Sequence, residues 1–126
     1  MYYDLLPRIK NAGRAQKESF TAPYSGLDLA VAEILVKAGY LKSAEKRVVG
    51  KKSYIDIGMK YYRKKPAMTD FRLISKPSRH IYSSYRELRP VRQHYGFAVI
   101  STPQGVMTNK DAKKNKVGGE YLFEIW

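Results

Sequence analysis

Ser25-Gly26-Leu27-Asp28-Leu29-Ala30-Val31-Ala32-Glu33-Ile34-Leu35-Val36-Lys37-Ala38-Gly39 reads as one complete helix with both of its ends encoded. Ser25 is a hydroxyl at the N-cap and Asp28 an acid three residues on, the spacing of a capping box. Leu27, Val31, Ile34, Leu35 and Ala38 share one helical face. Gly39 ends the run as the residue that accepts a left-handed backbone. Beyond Gly39 the period changes. Tyr40 to Val49 and Ser53 to Tyr62 read as two strands joined at Gly50-Lys51-Lys52, and Ile55, Ile57, Met59 and Tyr61 alternate as one buried face.

On the N-terminal side, Phe20 to Tyr24 reads as a short strand closed by Pro23, whose missing donor suits a strand end. A first helix is expected from about Asp4 to Ala15, with Asp4 as cap, Pro7 tolerated in the first turn, and Leu5, Ile9 and Ala12 as its apolar stripe. The first half is therefore an α-β-α-β-β sandwich with its helices on one sheet face. Arg63-Lys64-Lys65-Pro66 and Lys76-Pro77-Ser78 are breaks, and the domain boundary is expected between residues 63 and 78: 1–66, then 67–126. The second half offers short strands at Phe71–Ile74, Ile81–Tyr82, Phe97–Thr102 and Glu120–Trp126. A short helix at Asn109–Asn115 is capped by Thr108 with Asp111 at N3. The fold class expected is α+β, in two small domains, the second mainly antiparallel β.

Composition narrows the partner. With 24 Lys and Arg against 11 Asp and Glu, the net charge is +13 in 126 residues. Both expected domains carry an excess, +8 over residues 1–66 and +5 over 67–126. Such self-repulsion suits a polyanion binder. No cysteine is present, which excludes disulfides, thiolate zinc sites and a cysteine nucleophile. His80 and His94 alone do not complete a zinc site, and no cofactor or metal is expected. No apolar run approaches the roughly 20 residues needed to span a bilayer, and the N-terminus lacks the layout of a signal peptide. An intracellular protein with no membrane partner is expected.

The chemistry-bearing residues sit in the second half. Ser101-Thr102-Pro103-Gln104-Gly105-Val106-Met107-Thr108 places two hydroxyls and a glycine at the end of an apolar strand, and Gly118-Gly119-Glu120 lies downstream. A serine triad of Ser101, His94 and Asp70 lacks the glycine spacing of a nucleophile elbow. Gly118-Gly119 lacks the Lys-Ser/Thr of a phosphate loop. From Arg79 to Tyr95, basic and aromatic residues interleave: Arg79, His80, Tyr82, Tyr85, Arg86, Arg89, Arg92, His94 and Tyr95. Arginine and tyrosine together bind phosphates and stack on exposed bases. Tyr82, just after a basic turn, is the foremost contact. A DNA-binding regulator would show a base-reading recognition helix, but Leu27 to Ala38 carries Asp28, Glu33 and only Lys37. A protein-interaction domain gives no reason for the charge.

The string Phe97 to Thr102, Gly105 to Thr108 and Val117 to Glu120 resembles the C-terminal signature of the bacterial type of small-subunit ribosomal protein eight, approximately Ser-Thr-Ser-Lys-Gly-Val-Met-Thr-Asp with Gly-Gly-Glu downstream. Ser75 to Tyr82 is similar to that family's Ser-Arg/Lys-Pro-Gly-x-Arg-Ile/Val-Tyr, and Leu6-Pro7-Arg8-Ile9-Lys10-Asn11-Ala12 to its Leu-Thr-Arg-Ile-Arg-Asn-Ala. Ser25 to Tyr40 is similar to its second helix, with Ala38 at a glutamate position. The resemblance implies a non-enzymatic ribosomal protein that binds the central domain of small-subunit rRNA early in assembly. It implies neighbouring small-subunit proteins as further partners and, in some members, repression of the protein's own messenger. It places RNA contacts on Ser101, Thr102, Gly105, Tyr82, Gly118, Gly119 and Glu120, with Arg79 beside them, and basic contacts on Arg8, Lys10 and Asn11. Pro103, Gln104 and Ser78 depart from the family pattern. They predict a stiffer loop with fewer polar contacts, leaving Ser101 and Thr102 to carry most of them.

Overall fold

A computed structural model describes residues 2–76, 78–88 and 96–126. The chain divides into two compact units, Met1–Thr69 and Asp70–Trp126. The architecture is α+β, with antiparallel pairing throughout. No helix among the described residues is long and apolar enough to cross a membrane.

The first unit contains α1 (Tyr2–Arg14), β1 (Ser19–Pro23), α2 (Gly26–Lys37), β2 (Leu41–Val49), β3 (Lys52–Met59), β4 (Tyr61–Tyr62) and β5 (Lys65–Pro66). Its main sheet has the order β1-β3-β2. Ser25 caps α2 by accepting the Asp28 N–H at 3.1 Å, which satisfies one of the donors a helix start leaves open. At the other end Gly39, with φ +88°, turns the chain. Its N–H reaches Val36 O at 3.1 Å, and Tyr40 N–H reaches Leu35 O at 2.9 Å, the paired bonds of a Schellman motif. Ile55, Ile57 and Met59 are buried as their alternation requires, and so are Leu5, Leu6 and Ile9 of α1 and Val31 and Leu35 of α2.

Three details differ from the expectation. α1 begins at Tyr2, so Asp4 lies in its first turn instead of capping it, and Pro7 is interior. There the proline removes one rung of the helix ladder, while buried Leu5, Leu6 and Ile9 hold the helix to the core. The buried stripe of α2 is Asp28, Val31, Ala32 and Leu35. Leu27 and Ile34 flank it and Ala38 is exposed, a rotation set by where α1 and the sheet lie. And Arg63-Lys64-Lys65-Pro66 is no simple break: β4 and β5 form a tight hairpin, with Tyr61 opposite Pro66 and Tyr62 opposite Lys65.

The second unit contains β6 (Phe71–Leu73), β7 (Tyr82–Ser83), a 3-10 turn (Tyr85–Glu87), β8 (Phe97–Thr102), β9 (Gly105–Thr108), α3 (Asn109–Lys114) and β10 (Gly119–Ile125). β10 pairs with β8 along one side and with β6 and β7 along the other, and β9 pairs with the far side of β8. Leu88, Ala98, Ile100 and Ala112 form a core cluster with Tyr85, Met107, Val117 and Tyr121 around it. Thr108 caps α3 by accepting the Asp111 N–H at 3.2 Å. Ser75 is fully buried and staples the loop before β7. Its hydroxyl donates to Tyr121 O at 2.7 Å and accepts from Ile81 N–H at 3.0 Å.

Candidate RNA interface

Antiparallel pairing sets the geometry of the site. Tyr82 lies opposite Glu120, Glu120 opposite Ser101, and Ser101 opposite Val106. Directly opposed residues share a sheet face, so one row crosses β7, β10, β8 and β9. At that end of the sheet a cleft of about 610 Å³ is lined by Tyr82, Ser83, Ser84, Glu87, Ser101, Thr102, Pro103, Gly118, Gly119 and Glu120. Segments far apart in the chain are thus brought to one place. Six of the residues expected as RNA contacts, Tyr82, Ser101, Thr102, Gly118, Gly119 and Glu120, line it.

Each residue does something different there. Tyr82 is 70% exposed, a large ring presented to solvent. Ser101 is half-buried, and no hydrogen bond ties its hydroxyl to another described residue. Thr102 is buried, and its hydroxyl braces the β8–β9 turn: it donates to Gly105 O at 2.7 Å and accepts from Gln104 N–H at 3.1 Å. Pro103 sits in that two-residue turn, where a fixed φ is pre-set and no donor is missed. Gly105 completes it with φ +120°, a backbone that favours glycine.

Gly118 and Gly119 are required by the protein's own packing. A Cβ on Gly118 would lie 2.6 Å from Ser83 O and 2.9 Å from Ser84 Cα, and one on Gly119 would run into the Ser101 carbonyl. Glu120 has both carboxylate oxygens 3.1 Å from His80 Nδ1, so it tethers the exposed loop ahead of Tyr82. Arg79 is exposed, in a backbone bridge to Lys76.

The lining carries serine and threonine hydroxyls and two carboxylates but no lysine or arginine among the described residues. Such a surface suits neutral hydrogen-bond donors better than phosphates. Ser83, Ser84 and Glu87 are lining residues the sequence did not flag: Glu87 falls in a 3-10 turn that carries no sequence signature, and its Oε2 accepts from Ser83 Oγ at 3.4 Å. On the opposite face of β10, burial raises the Tyr121 phenol well above the usual tyrosine range. Glu124, whose Oε2 accepts its hydrogen at 3.0 Å, adds to the shift.

The basic contacts expected on α1 are only partly together. Arg8 and Asn11, one helical turn apart, flank a second cleft with Lys17, Ser19 and Thr21, whereas Lys10 lies about 200° around the helix from Arg8. Arg89, Arg92, His94 and Tyr95 lie outside the described residues. The serine triad fails on placement. Asp70 is hydrogen-bonded to Trp126, while Ser101 faces Glu120. Six residues of strand separate the two positions, about 20 Å.

The family model described as Ribosomal protein S8 matches residues 2–126. The chain belongs to the ribosomal protein S8 family. Proteins called small ribosomal subunit protein uS8 are similar along nearly its full length. One from Erythrobacter litoralis is 38% identical, one from Ruminiclostridium cellulolyticum 40%, and one from Lachnoclostridium phytofermentans 42%. In each case 98% of this chain and 94% of the relative are covered. Membership in the S8 family accounts for the order of the four motifs, from Leu6–Ala12 to Gly118–Glu120.

Proposed function

We propose that the chain is a structural, non-enzymatic constituent of the small ribosomal subunit. It binds the central domain of small-subunit rRNA early in assembly and helps shape the platform. The 70–126 unit makes the main contact through the Tyr82–Glu120–Ser101 row. The observation that carries this reading is the cleft, which gathers an exposed ring, free hydroxyl capacity and carboxylates from three distant segments of a protein with net charge +13.

Affinity then comes mainly from Lys and Arg outside the cleft, which neutralise phosphates and release counterions. Selectivity comes from the cleft. It offers acceptors to 2′-hydroxyls and base amino groups, and a stacking platform at Tyr82, which are the features an irregular RNA helix displays. Neighbouring small-subunit proteins are further partners. An RNA imitating the same site, including the chain's own messenger, would use the same cleft.

The test is a binding titration with a central-domain rRNA transcript and an unrelated RNA of equal length. Wild type should prefer the central domain. Tyr82→Ala should lose about 1–3 kcal/mol, the worth of one stacked base. Equal affinity for the two RNAs, or an unaffected Tyr82→Ala, overturns the assignment.

A further inference from the structure

The hairpin at Tyr61–Pro66 carries a feature that folding does not require. Its two loop residues, Arg63 and Lys64, have φ of +53° and +68°. Two consecutive left-handed residues are the signature of the hairpin turn that Asn-Gly or Gly-Gly normally supplies, because a Cβ is disfavoured there. Here both positions hold long cations. The neighbours share their character: Tyr62, Arg63, Lys64 and Lys65 are all exposed, with Tyr62 at 73%. The Arg63 guanidinium lies 5.9 Å from the centre of the Tyr62 ring. Among the described residues none of the three cations makes an ion pair.

The hairpin is also held rigidly at its base. The Tyr61 hydroxyl lies 2.6 Å from Lys17 O and 3.3 Å from Ala12 O, which anchors β4 to the end of α1. Gln16 Nε2 donates to Lys64 O at 3.1 Å. Pro66 packs so closely on α1 that a Cβ on Gly13 would meet its ring at 2.8 Å. A strained turn, locked from below, presents three cations without ion pairs and an exposed ring with Arg63 beside it.

We infer that this hairpin is a second RNA contact, separate from the cleft. Arg63, Lys64 and Lys65 engage phosphates, and the Tyr62 ring stacks on an unpaired base. Strain kept at a rigid site fits side chains selected for a ligand, and interleaved cations and rings are the surface that irregular or single-stranded RNA recognises. Preorganisation lowers the ordering cost that mobile lysines would otherwise impose on binding. The inference rests on the ribosomal reading only for which RNA is bound.

The test separates the site from the fold. R63N/K64G installs the residues the turn prefers, so its thermal unfolding midpoint should rise. Bound to a small-subunit rRNA transcript across a salt series, the same variant should lose about tenfold or more in affinity near 0.1 M salt. Its log–log salt slope should shrink by about 1.4–1.8, two phosphate contacts' worth. Tyr62→Ala should lose affinity and keep the slope. Wild-type binding with both variants unaffected overturns the hairpin assignment alone, whereas failure of wild type to bind the transcript overturns the ribosomal reading with it. If R63N/K64G binds naked rRNA normally but enters assembled subunits poorly, the hairpin serves a neighbouring protein and the RNA assignment falls.

Discussion

Ser101 and Thr102 are adjacent hydroxyls with opposite orientations, and substituting them one at a time should separate stability from binding. Thr102→Val keeps the branched shape and removes the hydroxyl. Two hydrogen bonds go with it, to Gly105 O at 2.7 Å and from Gln104 N at 3.1 Å. Each is worth about 0.5–1.5 kcal/mol net. Gln104 and Gly105 lie in an exposed turn and can turn to water, so the total falls near the low end, about 1–2 kcal/mol. In a unit of this size that is a drop in melting midpoint of about 4–8 °C per kcal/mol. Its affinity for central-domain rRNA, measured well below the midpoint, should change less than about threefold.

Ser101→Ala should do the reverse. Stability should stay within about 0.5 kcal/mol, and affinity should fall by about 1–2 kcal/mol as an RNA group loses its partner. Thermal melts and a binding titration on both variants read the two quantities independently. A Thr102→Val protein with wild-type stability and Ser101→Ala-like loss of binding would refute the division of labour.

Other substitutions test the frame around the site. Gly119→Ala drives a methyl into the Ser101 backbone. It should cost about 1–3 kcal/mol as overpacking and weaken RNA binding in step, measured by denaturant midpoint and titration. Ser75→Ala strands the Ile81 N–H and the Tyr121 carbonyl in a fully buried site, so stability measured by denaturant unfolding should fall by about 2–3 kcal/mol. Tyr121 holds its proton more tightly folded than unfolded, so its stabilisation is complete below its unfolded value of 10.0 and is lost as pH climbs above it. Denaturant midpoints should therefore fall above pH 10, and less steeply in Tyr121→Phe.

Much of this was legible because the deciding residues act locally. Ser25 with Gly39 brackets α2, Thr108 with Asp111 starts α3, and the alternation of Ile55, Ile57 and Met59 identifies the central strand; each rests on near neighbours alone. The cleft was legible in its members through the resemblance. Their division of roles was not, since it depends on register: whether a hydroxyl faces the cleft or its own turn is decided by which strand residue lies opposite. For the same reason the packing role of Gly118 and Gly119, whose missing side chains make room for β7 and β8, was not legible. Pro7 inside α1 escaped because burial of Leu5, Leu6 and Ile9 outweighs the lost rung. The hairpin at Arg63-Lys64 escaped because nothing in the residue types announces a left-handed backbone there; Gln16 and Lys116, also at positive φ after α1 and α3, hide their helix ends likewise.

The most direct test of the central claim is photo-crosslinking from position 82 during assembly of the small subunit. With a photoreactive side chain in place of Tyr82, the cross-links should fall on the central domain of the rRNA and disappear when excess unlabelled wild-type protein competes. Cross-links confined to protein, or scattered over the rRNA without competition, would contradict the cleft as the specific RNA site.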